Sequence, residues 1–211
     1  MRDTAEALIE KLNVISLTGK GKHNEALTSF LATLEDIVGI HSIRVAGYAA
    51  MTGREMELPK EKLTNLYIAS LLHDIGKLFI PPEILHKAGN LNEYELDIIR
   101  NHPVSGQNIL RKVKVYKQYA DIILYHHEFF NGRGYPCGLS GPDIPLLSRI
   151  IAVADAYEAM TSERPYRKGF SHREAVIRLR AGRSTQFDPE ITDLFLKAIK
   201  RYSNSGTNIV L

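Results

Sequence analysis

The amino-acid sequence predicts an all-α protein, a bundle of about seven or eight helices with a metal centre in its core. Three features lead to this prediction. Apolar residues recur at three- and four-residue spacing along most of the chain, as they do on one face of a helix. No segment reads clearly as a strand. Histidines and aspartates stand beside or inside apolar helical segments, where a charged side chain needs a partner.

The composition is that of an ordinary globular protein. The chain has 211 residues, which is long enough for one domain with a full core. Its formal net charge of +3 is small and evenly spread, which argues against a DNA or RNA duplex as partner. The single cysteine, Cys137, excludes an internal disulfide. No apolar stretch approaches the ~20 residues that span a bilayer, so we expect a cytoplasmic protein without membrane insertion.

Residues 1–35 are expected to form an N-terminal helix and a linker ahead of the main domain. An amphipathic pattern runs from Asp3 to Leu17 and is broken by Gly19 and Gly21. This helix could pack on the domain, mediate dimerisation or be the remnant of a linker from a sensory domain, and the sequence leaves these open. A homodimer is one expectation. Residues 203–211 are expected to be a flexible tail.

Residues 36–202 are expected to form the main domain. A long helix is predicted from Glu25 to Met51, with Gly53 at its end. Helix formers then lead to Leu72, and Gly76 is predicted to end that second helix.

Later helices are marked by their capping residues. Asn92 begins a capping-box pattern, and Pro103 should force a break or a new first turn where the helix reaches His102. Ser171 and Asp188 are predicted N-caps of the last two helices.

Histidine and aspartate side chains occur at recurring places in these helices. His73 and Asp74 follow the apolar run that ends at Leu72, and Asp155 lies inside the apolar segment 150–156. An unpaired carboxylate there would cost about 3–5 kcal/mol, so a metal ligand is the more economical interpretation. A hydrogen-bonded core residue is the alternative for any one of the histidines. The candidate metal ligands are His41, His73, Asp74, His102, His126, His127 and Asp155.

This ligand set predicts a particular chemistry. Imidazole and carboxylate groups without thiolate differ from a closed structural zinc site. The ligands exceed what one ion needs, so we expect two divalent metal ions bridged by Asp74, preferably Fe or Mn, with Zn and Ni as alternatives. Two ions about 3.5–4 Å apart can activate a hydroxide for attack at phosphorus. Lys77, one turn beyond Asp74, would stabilise the developing charge, which makes these two residues the predicted catalytic pair.

Several motifs, taken together, resemble one known family. They are His73-Asp74-Ile75-Gly76-Lys77, His102-Pro103, His126-His127-Glu128, Gly134-Tyr135-Pro136, and Asp155 followed by Arg164-Pro165-Tyr166-Arg167. In order and spacing, over about residues 36–200, they resemble the HD-GYP family of bacterial cyclic-di-GMP phosphodiesterases, within the HD metal-dependent phosphohydrolases.

The resemblance implies hydrolysis of cyclic-di-GMP to pGpG by a metal-activated hydroxide, with GMP as a further product left open. It implies the same metal ligands with Asp74 as the bridge, although His41 could belong to an additional or alternative site. The substrate and its phosphates would be contacted by Lys77, Tyr135, Arg164 and Arg167.

One position departs from the family pattern. Members with a three-metal centre carry a glutamate one helical turn before the first histidine. Four residues before His41 this chain has Ile37, which has no donor atom. We therefore expect a two-metal centre and leave the role of His41 open.

Two other functions stay open. One is an HD phosphohydrolase that acts on another cyclic dinucleotide, which a glycine-rich loop such as Gly134-Tyr135-Pro136 does not exclude. The other is a non-catalytic module that binds cyclic-di-GMP and signals to a partner. The complete ligand set favours an enzyme, because a pure binder has no need of Asp74 or the paired histidines.

Overall fold

The computed structural model describes residues 2–17, 22–31, 39–163 and 168–204. Every regular element in these ranges is a helix, and the only β-type pairing there consists of the isolated bridges Asn131–Ser140 and Arg183–Phe187. The all-α prediction is therefore confirmed.

The described helices differ widely in length. The α-helices are α1 (Arg2–Ser16), α2 (His23–Leu31), α3 (Gly39–Glu55), α4 (Lys60–Leu72), α5 (Pro82–Leu85), α6 (Glu93–Arg100), α7 (His102–Leu110), α8 (Ala120–Leu124), α9 (Leu146–Thr161), α10 (His172–Ala181) and α11 (Pro189–Asn204). Three 3₁₀ turns cover Ile75–Phe79, Lys117–Tyr119 and Gly141–Asp143. Very short helices such as α5 raise the count above the predicted bundle without changing its class.

The first long helix was predicted to end at Gly53, and this was wrong. Helix α3 continues to Glu55. A Cβ atom at Gly53 would lie 2.8 Å from Cδ2 of Leu63 and 2.9 Å from Cδ2 of Leu66. The glycine therefore permits close packing of α3 on α4 and does not end the helix. Residues 32–38, between α2 and α3, lie outside the described residues.

The second helix was predicted to end at Gly76, but it ends at Leu72. His73 is its C-cap, and Asp74 precedes the 3₁₀ turn Ile75–Phe79. A Cβ atom at Gly76, inside this turn, would lie 2.0 Å from the carbonyl oxygen of His102. Gly76 therefore lets the turn approach α7.

The predicted caps are confirmed. Asn92 and Ser171 both form complete capping boxes, with Glu95 and Glu174 respectively. Asp188 accepts hydrogen bonds through Oδ1 from two backbone N–H groups of the first turn of α11, at 2.9 and 3.2 Å. The predicted break falls between α6 and α7, immediately before His102.

The core lies where α3 packs against α4 and α9, and α11 covers α3. Helix α1 packs against α2 and α7, and its Leu8, Leu12 and Ile15 belong to the same buried cluster. A domain boundary near residue 36 and a homodimer both stay predictions. Among the described helices, none combines the length and apolar character required to cross a membrane.

Replacing Gly76 with alanine should destabilise the metal-free protein by about 1–3 kcal/mol, because the added methyl group overlaps backbone atoms that cannot move aside easily. Urea denaturation of the two proteins measures this difference. Gly89→Ala is the control, because no atom lies within 4 Å of a Cβ there. Equal stability of both variants would contradict the close-approach role.

Candidate metal centre

The structure brings all seven predicted metal ligands together. They form two groups, and within each group one donor atom per residue lies within 4.8 Å of the others. The first donor group is Asp74, His102, His126 and His127, and the second donor group is His41, His73 and Asp155. His41, whose role the sequence left open, thus lies in the second donor group.

Asp74 lies between the two donor groups. Its Oδ1 is 3.2 Å from Nε2 of His102 and 4.0 Å from Nε2 of His126. Its Oδ2 is 3.4 Å from Nε2 of His73 and 3.5 Å from Nε2 of His41. A carboxylate whose two oxygens face different donor groups has the geometry to bridge two cations.

Three of the histidines are oriented by the helices that precede them. The Nδ1 atoms of His73, His102 and His126 each lie within hydrogen-bond distance of a carbonyl oxygen three residues earlier, at 2.7, 2.7 and 2.6 Å. These carbonyls are in the last turns of α4, α6 and α8, where a helix leaves its carbonyl groups without internal partners. Donation from Nδ1 places the proton there and leaves a lone pair on Nε2.

These lone pairs are arranged so that they can coordinate a cation. Nε2 of His102 is only 3.3 Å from Nε2 of His126, and neither nitrogen carries a proton to share if both donate from Nδ1. Nε2 of His73 and Oδ1 of Asp74 are buried and have no hydrogen-bond partner among the described residues. Imidazole nitrogens fixed by backbone carbonyls, together with carboxylates, are a usual donor set for divalent metals.

The fourth histidine, His41, is oriented differently. Its Nε2 is 3.0 Å from Oδ1 of Asp155, and its Nδ1 is 2.5 Å from Oε2 of Glu158. Glu158 was missed by the sequence analysis. The available signal was a second carboxylate in the apolar segment of α9, one turn after Asp155.

The electrostatics of the first donor group favour neutral imidazole beside a charged carboxylate. Burial alone would raise the pKa of Asp74, but the Lys77 ammonium and nearby histidines hold it well below its usual range. Burial lowers the pKa of His126 well below its usual range and that of His127 to about 3. Neutral imidazole is the form that binds metals.

In the second donor group, burial lowers the pKa of His41, but hydrogen bonds to Asp155 and Glu158 outweigh this and raise it to about 10. The pKa of Asp155 would be raised by burial, yet His41 and His73 hold it well below its usual range. A cation held here would have to displace a proton from His41.

The predicted substrate-binding residues lie partly within the described structure. Nζ of Lys77 is 2.6 Å from Oδ2 of Asp74, and its side chain is 18% exposed. The Tyr135 ring lies 4.9 Å from the His127 ring, tilted by 31°. Arg164 and Arg167 lie outside the described residues.

A buried carboxylate fixes the loop that carries Tyr135. Oε1 of Glu128 accepts hydrogen bonds from the backbone N–H groups of Cys137 at 2.7 Å and Gly138 at 3.1 Å. The Tyr135 N–H donates to the carbonyl oxygen of His127 at 3.2 Å. These contacts hold the loop against the first donor group.

A cavity of about 300 Å³ lies beside the same donor group. His102 lines it together with Gly76, Phe79, Tyr94, Asp97 and Asn101, among others. No other candidate metal ligand lines it, and neither Lys77 nor Tyr135 does.

Comparison with known proteins identifies the family. The HD domain model matches residues 22–191. A cyclic di-GMP phosphodiesterase of Pseudomonas aeruginosa is 38% identical over 205 residues, covering 95% of this chain. The chain is an HD domain protein of the HD-GYP family. The predicted family is therefore confirmed.

Other relatives of this HD domain carry two kinds of name. A cyclic di-GMP phosphodiesterase of Thermotoga maritima is 36% identical across 78% of the chain. A 3′3′-cGAMP-specific phosphodiesterase of Vibrio cholerae is 39% identical across 77%. The chain spans 48%, 45% and 38% of the lengths of the Pseudomonas, Thermotoga and Vibrio proteins.

A solved structure supports the fold. An HDG"Y"P protein from Bdellovibrio bacteriovorus superposes with a TM-score of 0.70 at 19% identity, covering 93% of this chain and 68% of that one. This likeness concerns the architecture alone.

Replacing Glu128 with alanine should open the loop that carries Tyr135, because two backbone N–H groups lose their acceptor at a local cost of about 1–3 kcal/mol. Hydrogen exchange followed by mass spectrometry should show faster exchange at Cys137 and Gly138. Asp143→Asn, at an exposed position, is the control. Unchanged exchange in the Glu128 variant would show that other contacts hold the loop.

Proposed function

We propose that this HD domain is a metal-dependent phosphodiesterase that hydrolyses cyclic-di-GMP to pGpG. The observation that carries the proposal is the position of Asp74, whose two carboxylate oxygens face separate groups of imidazole donors. One ion would leave half of these donors unused. The arrangement therefore favours two divalent cations, with Fe or Mn as the expected metals.

Each donor group would hold one cation, with Asp74 shared between them. His102, His126 and His127 would complete the first subsite, and His41, His73 and Asp155 the second. Divalent cations in such a site supply Lewis acidity and a water molecule of lowered pKa. The chain's own task is to present unprotonated Nε2 atoms and to keep the carboxylates charged.

Lys77 is the residue that would meet the substrate phosphate. Its ammonium contacts Oδ2 of Asp74 and is partly exposed, so it lies at the edge of the site that solvent reaches. A cation at this position can stabilise the negative charge that develops on a phosphodiester during attack. Tyr135 would line the substrate side of His127, and Arg164 and Arg167 stay predicted phosphate contacts.

Cyclic-di-GMP is the favoured substrate because relatives from separate bacteria carry that name and cover most of this chain. A specific observation also supports 3′3′-cGAMP, since one of the relatives named for it is 39% identical. A non-catalytic binding module is disfavoured, because it would not need two complete donor groups.

The decisive test is cleavage by protein purified without oxygen, with its metals measured and Fe²⁺ or Mn²⁺ supplied. Chromatography should show pGpG from cyclic-di-GMP, faster than cleavage of 3′3′-cGAMP, with about two metals per chain. It would also show whether GMP follows. Asp74→Ala should lose metal and turnover together, whereas Asp121→Ala, an exposed aspartate, should keep both.

The outcomes of this test separate the alternatives. Faster cleavage of 3′3′-cGAMP would establish the second substrate. Binding of cyclic-di-GMP without turnover in metal-replete protein would revive the binding module. Two metals retained in Asp74→Ala would refute the bridge.

Replacing Lys77 with glutamine should lower kcat on the order of 10²–10³-fold with little change in metal content, because charge stabilisation acts in the transition state. Steady-state kinetics and metal analysis of the same sample measure both. Lys87→Gln is the matched control, since Lys87 pairs with Glu95 on the surface. An unaltered kcat would place Lys77 away from the reacting phosphate.

A further inference from the structure

A buried carboxylate outside the predicted ligand set contacts the second donor group. Glu158 lies on α9 and its side chain is only 3% exposed. Its Oε2 is 2.5 Å from Nδ1 of His41, a residue 117 positions earlier in the chain. The contact therefore joins α9 to α3 through the ring of a candidate metal ligand.

His41 differs from the other oriented histidines in the group that faces its Nδ1. His73, His102 and His126 follow helix ends, where carbonyl oxygens are free to accept from Nδ1. His41 lies in α3, which spans Gly39–Glu55. The group that faces its Nδ1 is the Glu158 carboxylate, a side chain from another helix.

We propose that Glu158 is a positioning residue that accepts the Nδ1–H of His41 and so turns its Nε2 towards the second donor group. The inference rests on the proposed metal-dependent function. A carboxylate that accepts from a metal-ligating imidazole fixes both the tautomer and the ring orientation. Glu158 would thereby make His41 a ligand of the second of two cations.

The surroundings of Glu158 fix its own carboxylate. Its Oε1 accepts a hydrogen bond from the Ser162 hydroxyl, and Nη1 of Arg44 is 3.6 Å from the same oxygen. Nη1 of Arg44 also donates to the Ser162 hydroxyl at 3.2 Å. One oxygen of Glu158 is thus held by donors near the surface, which leaves the other for His41.

Helix α9 sets the ligand and the positioning group together. Asp155 and Glu158 are three residues apart, which places both on one face of the helix. Asp155 faces Nε2 of His41, whereas Glu158 faces Nδ1 of the same ring. The ring is therefore held at both nitrogens by one helix.

Glu158→Gln tests the role at nearly constant volume. Glutamine has one acceptor oxygen and no charge, and the Ser162 hydroxyl can accept as well as donate, so the amide can face His41 with either end. With its NH₂ group facing His41, it favours the tautomer that carries the proton on Nε2, and that nitrogen cannot bind a metal. With its oxygen facing His41, the charged acceptor of the Nδ1–H is still lost. The second subsite should weaken by about 10–100-fold while the first stays intact.

The measurement is a titration of metal-free protein with Mn²⁺ alone, with free Mn²⁺ followed by electron paramagnetic resonance. Wild type should show two sites, and Glu158→Gln one site of unchanged affinity and one weakened site. The matched control is Glu55→Gln, because Glu55 is a largely buried carboxylate on α3 whose ion pairs are with Lys197 and Arg201. It should keep both sites.

A double mutant separates positioning from a general structural effect. If Glu158 acts through His41, adding Glu158→Gln to His41→Ala should cause no further loss of Mn²⁺ affinity. An additive loss, or wild-type affinity in Glu158→Gln, would overturn the proposal. Should Glu158→Gln not fold, Ser162→Ala, which removes the donor to Oε1, should weaken the same subsite more mildly, and an unchanged second site would count against the idea.

This experiment does not depend on the substrate. Two Mn²⁺ sites with the expected response to Glu158→Gln, but no cleavage of a cyclic dinucleotide, would refute the proposed function and keep the positioning role. Cleavage of cyclic-di-GMP by the wild type, together with an unchanged second Mn²⁺ site in Glu158→Gln, would support the proposed function and refute the positioning role.

Discussion

The burial of one carboxylate among imidazoles is the constraint on which the rest of this structure depends. Asp74 is 1% exposed, so its charge has to be compensated by groups the fold brings to it. Lys77 contributes from the next turn, and the imidazoles come from α3, α7 and the segments after α4 and α8. The packing of α3 against α4 and α9 closes this arrangement. The core is thus organised around the buried Asp74 carboxylate as well as by the burial of apolar side chains.

The ends of three helices orient three of the histidines around this carboxylate. A helix that stops leaves carbonyl oxygens without partners, and a histidine just beyond it can donate to one of them. His73, His102 and His126 repeat this local geometry, with Nδ1 bound to backbone and Nε2 directed to the centre. Secondary structure alone therefore selects the tautomer a metal needs. The same carbonyls that a helix end exposes become part of the site.

The sequence predicted what depends on local chemistry and failed where distant packing decides. Capping residues such as Asn92 act within one turn, so pattern is sufficient to find them. Gly53 and Gly76 were misread as helix ends because a glycine can equally serve close approach of another element, and the sequence does not show which element that is. Glu158 was missed for a similar reason, because its contact with His41 depends on the packing of α9 against α3. The seven predicted ligands nevertheless all lie in the two donor groups, because histidines and aspartates next to apolar runs stand out in a sequence.

The second donor group contains one histidine that is oriented by tertiary contact, because His73 is oriented by a backbone carbonyl and His41 by a side chain. In the first donor group, His102 and His126 are oriented by carbonyls three residues away, so their geometry persists as long as their helices do. In the second donor group, His41 depends on Glu158 and hence on the packing of α3 against α9. Small shifts between these helices would alter the second subsite and leave the first almost untouched. Under the proposed function, the metal affinity of the second subsite thus depends on the packing of α3 against α9, because that packing aligns His41 with Glu158.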